Sequence, residues 1–314
     1  MNQLYRALHM PPDRLLKKLT GYKEIYTVAV RRRNPENSLP ALGEGTYTPL
    51  PYDPHTWYAD PLLYTCQNRR ALFCEAFDRA AGKGALAVFD FDAGGLPVNP
   101  RVIITEDYHL SFPTVFAWGG ALYMAPESGA NHSLNLYLCD EFPDRWRRVA
   151  VLDVGCELCD TIVLSVTPDE VVLLGSETRP ENQLYTRYRR YTLRRRTPEE
   201  GEGFVLTPDD PFNCKHVGFD LASRNAGPML PWLGQTLHPT QVSTKVDYGV
   251  YLQFLTGEPG GAEHPLCAAE PARVRITGLE TADLVGIHTY CCDDELEIID
   301  ARYLHKDEEG AAPC

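Results

Sequence analysis

No apolar run in this 314-residue chain approaches the ~20 residues that a membrane-crossing helix needs, so a transmembrane segment is excluded. The opening stretch, Met1-Asn2-Gln3-Leu4-Tyr5-Arg6-Ala7-Leu8-His9-Met10, has neither a continuous apolar core nor a small-residue cleavage site, so no secretory signal is read there. Cytoplasmic residence is the expectation, with the cysteines as free thiols. Those 10 cysteines include one Cys-x-x-Cys, Cys156 and Cys159, and the adjacent Cys291 and Cys292. No second pair stands at zinc-ribbon spacing, so neither metal nor cofactor is expected. Positive charge is also scarce: 30 Lys and Arg against 43 Asp and Glu leave a net charge of −13, which argues against nucleic acid as a partner. The chain has no Gly-x-Ser-x-Gly elbow, no His-Glu-x-x-His and no dinucleotide fingerprint. Its Gly82-Lys83-Gly84 precedes a strand-like run rather than a helix, and reads as a hairpin turn.

What the chain does have is a pattern that returns. Trp57-Tyr58-Ala59-Asp60-Pro61-Leu62-Leu63-Tyr64 is followed by the apolar run 71–74 and Glu75. Leu110-Ser111-Phe112-Pro113-Thr114-Val115-Phe116 is followed by the run 121–126 and Glu127. Pro61 and Pro113 lie 52 residues apart, as do Glu75 and Glu127. A third copy starts at Asp160-Thr161 and ends on Glu177, 50 residues after Glu127. Two looser copies are Ala226-Gly227-Pro228 with Gln241, and Ile287-His288-Thr289 with Asp300. A repeat of about fifty residues built from short β-branched and aromatic runs is the signature of propeller blades. Five copies predict an all-β, five-bladed β-propeller.

Three segments follow. Residues 1–56 form an N-terminal extension, with a short amphipathic helix after Pro11-Pro12-Asp13 and a strand at 24–31 placed to pair with the last blade and close the ring. Its five prolines and two glycines over 34–56 predict an irregular surface loop. Residues 57–303 form the propeller and 304–314 a flexible tail. Within the third blade, Arg187, Arg189, Arg190, Arg194, Arg195 and Arg196 alternate in part with Tyr. This stretch reads either as a solvated outer face or as a docking patch for phosphate or carboxylate.

Inner strands of a propeller converge on its axis, and the repeat places Asp60, Phe112, Asp160, Gly227 and His288 at corresponding positions facing a central funnel. Asp60 and Asp160 could then flank a glycosidic bond as an acid and a base. The alternative is that an Asp in such a place only caps a turn. Glu75, Glu127 and Glu177 read as blade-to-blade latches, with Glu127 also able to reach the funnel as a catalytic or positioning group. His109 and Arg224 precede inner strands, where they suit sugar hydroxyls or an anionic group.

The ordered motifs Trp57 to Pro61, His109 to Pro113, Pro126-Glu127-Ser128 with Ala130-Asn131, Asp160-Thr161, the stretch from Gln241 through Tyr248-Gly249, and His288-Thr289-Tyr290 resemble a known domain. It is the propeller at the N-terminus of plant glucosamine inositolphosphorylceramide transferases, itself similar to the five-bladed arabinanase, levansucrase and invertase superfamily. The resemblance implies a nucleophile or base at Asp60 and an acid at Asp160, with Phe112 standing where a middle carboxylate belongs. It adds Trp57, Gln241 and Tyr248 to His109, Arg224 and His288 as sugar-binding positions. Two functions are expected from it. One is a carbohydrate-active enzyme that hydrolyses or transfers a glycosidic linkage. The other is a silent recognition module for a glycan or glycolipid head, working beside a separate glycosyltransferase.

Overall fold

The computed structural model describes residues 9–33 and 45–306. Its strands make five antiparallel sheets, and each is one blade of a propeller. Blade one is β3 (Thr56–Cys66), β4 (Arg69–Asp78), β5 (Lys83–Phe91) and β6 (Pro97–Ile104). Blade two is β7 (Val115–Trp118), β8 (Ala121–Met124), β9 (Ser133–Glu141) and β10 (Arg145–Asp153). Blade three is β11 (Leu158–Val166), β12 (Glu170–Arg179), β13 (Asn182–Arg195) and β14 (Phe204–Pro208). Blade four holds β15 (Arg224–Asn225), β16 (Leu230–Trp232), β17 (Gln235–Val242), β18 (Tyr251–Gly257) and β19 (Glu263–Ala269).

Blade five joins the two ends of the chain. Its β20 (Leu284–Gly286) and β21 (Tyr290–Cys292) pair with β22 (Leu296–His305), which pairs along its whole length with β1 (Lys23–Arg32). A short β2 (Thr48–Pro49) completes the sheet. The last strand therefore runs to His305, two residues beyond the boundary read from the sequence; residues 307–314 lie outside those described. The loop at 34–56 is only partly a surface loop. Residues 34–44 lie outside the described residues, but Tyr47 is fully buried and Leu50 nearly so, because β2 carries this stretch into the core.

The core lies between blades. Five apolar clusters fill the five junctions, such as Leu62, Phe73, Leu86 and Met124 between blades one and two, and Val28, Leu72, Phe89 and Ile298 between blades five and one. Stacking twisted sheets face to face buries the apolar alternation of each strand, and closing the ring leaves only short protected edges. The helix Pro12–Leu19 joins no such cluster. It docks through charge, with Arg14 on Glu24 and Asp247, Lys17 on Asp283 and Lys18 on Glu24, while Leu16 and Leu19 face outward.

The arginines of the third blade are spent within it. Arg187 and Arg189 hold Glu177 at 2.7 and 2.5 Å, Arg190 holds Asp209, and Arg194 holds Glu200. Arg195 lies over the Trp118 ring at 4.7 Å. Four of the six are thus ion-paired, while Arg195 and Arg196 meet no carboxylate among the described residues. The nine described cysteines are all free thiols, and no helix among the described residues is long and apolar enough to cross a membrane.

Candidate functional site

One backbone device builds the funnel four times. Asp60, Phe112, Asp160 and Gly227 all have positive φ, at 50°, 44°, 46° and 143°. In blades one and three the ladder skips there, between Ala59 and Leu62 and between Cys159 and Ile162. Such a bulge re-aims one side chain at each inner strand. Asp tolerates the left-handed region, whereas Phe112 occupies it at a cost. Its ring is carried into the apolar junction with Ile162 and Leu174, so blade two offers no carboxylate at this position.

The residues before these turns pair with the second strand. Ala59 pairs with Glu75, and Ser111 bridges to Glu127, so those two glutamates are equivalent. Glu177 is not: it pairs with Leu158, and Ser176 takes the equivalent place opposite Cys159. A one-residue slip turns a strand side chain to the opposite face. Glu177 therefore serves Arg187 and Arg189 rather than the funnel.

Carboxylates also bind the blades to one another. Asp300 accepts from the Asp60 amide at 3.0 Å, Asp60 from the Phe112 amide at 3.2 Å, and Glu127 from the Asp160 amide at 3.1 Å. Each bond crosses one blade junction. At the next junction Asn225 takes over, donating to the carbonyls of Asp160 and Leu174.

Asp60, Glu75, Glu127 and Asp160 line a cavity of about 180 Å³ on the axis with Tyr26, Trp57, His109, Arg224, Tyr248 and His288. Of the positions expected from the sequence, Phe112, Gly227 and Gln241 do not line the cavity: Phe112 and Gly227 border a separate apolar cavity, and Gln241 stands behind Asp160. Gln241 is fully buried and donates to Asp160 at 3.1 Å. Tyr26, whose strand reads in the sequence only as a ring closure, and Glu75, which reads only as a latch, also line the cavity. The equivalence of Glu75 with Glu127 was the signal for the second. Beyond Asp60 the axis continues into an apolar cavity of about 60 Å³ beside Pro61, Phe112 and Ile162.

Two clusters stand out. In the first, Asp60 accepts from Thr289 Oγ1 at 2.9 Å and faces His288 Nε2 at 3.6 Å, while His288 Nδ1 contacts Asp300 at 2.7 Å. Burial lifts the Asp60 pKa to about 6, and the charges of Asp300 and Asp160 lift it while His288 opposes them. Burial would depress His288, but Asp300 and Asp60 outweigh it and raise its pKa. In the second cluster, Arg224 ion-pairs with Asp160, lies 3.9 Å from Glu127, and packs over the Tyr248 ring at 4.7 Å. Burial and the charge of Asp160 hold Glu127 well above the usual carboxylate range.

Each cluster brings three ligand-type atoms within 4.8 Å of one another: Asp60, His288 and Asp300, and Glu127, Cys159 and Asp160. Their atoms are largely engaged already. Asp300 accepts from the amides of Asp60, His288 and Thr289, and the Cys159 thiol donates to the Ser176 carbonyl.

Trp57 stacks on Phe77 at 4.3 Å with an angle of 7° between the planes, and Tyr26 leans on Trp57 at 4.9 Å. A flat apolar wall beside clustered carboxyls is the usual form of a sugar site, since sugars present both C–H faces and hydroxyl edges. Residues 50–187 match the family described as glucosamine inositolphosphorylceramide transferase 1, N-terminal. The match bears out the resemblance read from the sequence motifs. Among curated relatives, the Arabidopsis thaliana glucosamine inositolphosphorylceramide transferase 1 is 35% identical over 100 residues, 32% of this chain and 13% of that protein. The protein of the same name from Oryza sativa subsp. indica is 30% identical over 146 residues, 46% of this chain and 18% of that protein. The matched segment thus spans less than a fifth of either relative. The fold is also that of a GH62 hydrolase solved in complex with xylotriose, with a TM-score of 0.54 and 13% identity over 85% of this chain and 100% of that one. The chain is thus a five-bladed β-propeller with a glycoside-hydrolase-like fold.

Proposed function

We propose that the axial funnel binds a sugar and works on its glycosidic linkage, with Glu127 as proton donor and Asp60 as base. The observation that supports this is the separation of two carboxyls in one cavity. Glu127 keeps its proton far above the usual range, while Asp60, at about 6, is ionised at neutral pH. Paired carboxyls whose environments differ in this way divide acid and base roles. Asp160 suits the acid role less well, because Arg224 and Gln241 both hold its Oδ2. Asp60 would take a proton from the attacking water or acceptor hydroxyl while Glu127 protonates the leaving oxygen. His288, backed by Asp300, keeps the Asp60 carboxyl oriented.

A second reading rests on Phe112 and Arg224. A funnel that lacks the middle carboxylate and neutralises Asp160 also suits a recognition module that presents a sugar or glycolipid head to a partner glycosyltransferase, as the names of the plant relatives suggest. Turnover of a glycan library by wild type, Asp60→Asn and Glu127→Gln, with binding measured in parallel, separates the two. Loss of turnover by at least a hundredfold in both variants with binding retained supports the acid–base pair. Binding by wild type with no turnover establishes the recognition module instead.

A further inference from the structure

One wall of the funnel is shared between two blades. Tyr26 and Tyr248 flank the His288 ring, with centroids 5.0 and 5.3 Å from it, and all three line the axial cavity. Tyr26 also leans on Trp57, and the Tyr248 ring carries the guanidinium of Arg224, so the two tyrosines border both carboxyl clusters. They arrive on segments far apart in the chain. Tyr26 belongs to β1 in blade five, and Tyr248 to the loop 243–250 between β17 and β18 in blade four.

What joins these segments lies just outside the cavity. Arg302 stands opposite Tyr26 in the β1–β22 ladder, so the two side chains share one face of the blade. Its Nη2 donates to Asp247 Oδ1 at 2.8 Å and to the Tyr248 carbonyl at 2.7 Å, and its Nη1 lies 3.6 Å from Glu24. Arg14, on the helix Pro12–Leu19, closes the figure from the other side, donating to Glu24 at 2.6 Å and to Asp247. Two arginines thus share two carboxylates, one from each segment, and none of the four side chains is more than 15% exposed. The helix contributes little else, since none of its residues is buried. Such a ring adds little net stability compared with apolar packing, because desolvating four charges consumes most of their attraction. The planar fork of an arginine that bridges two carboxylates does, however, set the distance between them.

We propose that this ring is a clasp. Arg14 and Arg302 are positioning residues that set Tyr26 and Tyr248 on either side of His288, and the N-terminal helix thereby belongs to the funnel without touching it. The consequence for ligands rests on the sugar-binding reading, whereas the clasp itself is measured without a sugar. Slackening it would let the Tyr248 ring part from Arg224 and the Tyr26 ring from Trp57, opening the wall that a sugar face would cover.

Arg14→Gln tests the clasp in the full chain. It leaves Asp247 with Arg302 and Glu24 with Lys18, so no buried carboxylate is stranded and the fold is kept. With isotope-labelled histidine, and the His288 line assigned by its loss in His288→Asn, the ring resonances of His288 report the two tyrosine ring currents. In Arg14→Gln that line should shift or broaden, and the amides of 243–250 should exchange about tenfold faster or more. The line of His238, within blade four, and the amides of blade three should stay as in wild type. Lys17→Gln frees the same helix from Asp283 but leaves the ring of charges intact, and should match wild type throughout. The glycan that wild type binds most tightly in the library above should bind Arg14→Gln about tenfold more weakly and Lys17→Gln unchanged, a tenfold loss being about 1.4 kcal/mol. An unmoved His288 line with unchanged exchange, or equal changes in Lys17→Gln, would overturn the clasp and make the helix a plain support. A clasp that loosens while the glycan binds as before would sever it from the site and leave sugar recognition standing. A wild type that binds no glycan would remove the sugar reading, while the resonance and exchange results would still decide the clasp.

Discussion

Between about pH 5 and pH 8 the stability of this protein should fall, and Asp60→Asn should flatten the fall. Carboxylates whose pKa values are depressed by folding, such as Glu24 and Asp247, cannot produce it. Burial opposes their ionisation, but Arg14 and Arg302 outweigh it, so their stabilisation is present above the ordinary carboxylate range and is lost only as pH falls below it. Asp60, Glu75 and Glu127 behave oppositely. Their folded pKa values are raised, so the folded state binds more protons than the unfolded state, and stability is lost as pH rises through the folded values. His288 adds to the trend, since its raised pKa gives stability below the ordinary histidine range that disappears as pH climbs through the folded value. For Asp60 alone, a rise from 3.8 to about 6 is worth ~3 kcal/mol at 1.36 kcal/mol per pKa unit. An amide resembles the protonated acid but can accept from only one of Thr289 Oγ1 and the Phe112 amide, at a cost of about 1 kcal/mol. Asp60→Asn should therefore be ~1 kcal/mol less stable than wild type well below pH 4, equal to it near pH ~4.5, ~0.5 kcal/mol more stable near pH 5, and ~2 kcal/mol more stable near pH 8. Urea unfolding followed by near-ultraviolet circular dichroism across this range measures both curves. Parallel curves, or a wild type whose stability rises with pH, would refute the charge assignment of the funnel.

Two further substitutions examine the scaffold around it. Gly227 has φ of 143°, and a Cβ there would lie 2.0 Å from the Tyr290 carbonyl oxygen, so Gly227→Ala should cost about 2–5 kcal/mol in the same unfolding assay. A cost under 0.5 kcal/mol would show that blades four and five do not approach this closely. Arg224→Met strands the buried Asp160 without its partner and should cost about 3–5 kcal/mol, most of it recovered in the Arg224→Met, Asp160→Asn double variant; strict additivity of the two changes would refute the pairing.

The parts of this molecule that were legible in its sequence are those fixed by local backbone demand. Asp60, Phe112, Asp160 and Gly227 recur because each inner strand needs the same positive-φ turn before its apolar run, and that requirement leaves a mark at regular spacing. Register was legible only to within a residue. A spacing of 50 instead of 52 does not say where the shortening falls, and it falls so that Glu177 faces its arginines rather than the axis. The pairing of the first strand with the last blade is legible, but its register and the direction of its side chains are not. Nothing local to Tyr26 reports that the strand carrying it lies against Arg302 and turns the ring toward His288. The third-blade arginines likewise look free in one dimension, since Asp209 and Glu200 meet them only after folding.

A carboxylate in the funnel of this fold has two employments that need not coincide. Asp300, Asp60 and Glu127 each accept from a backbone amide of the following blade, and this would hold them in place with no chemistry at all. Asp60 therefore does not by itself argue for catalysis. Features that a latch does not need are more informative. Glu75 leaves a buried oxygen unpaired with His109 Nε2 3.4 Å away, and Tyr26 and Trp57 turn part of their rings to the cavity. Each of these costs stability or gives up packing, and a scaffold alone supplies no compensation. A ligand's C–H face would cover the rings. If the funnel binds a sugar as proposed, Tyr26 and Trp57 are placed to cover it, and turnover depends on whether Glu127 can give it a proton.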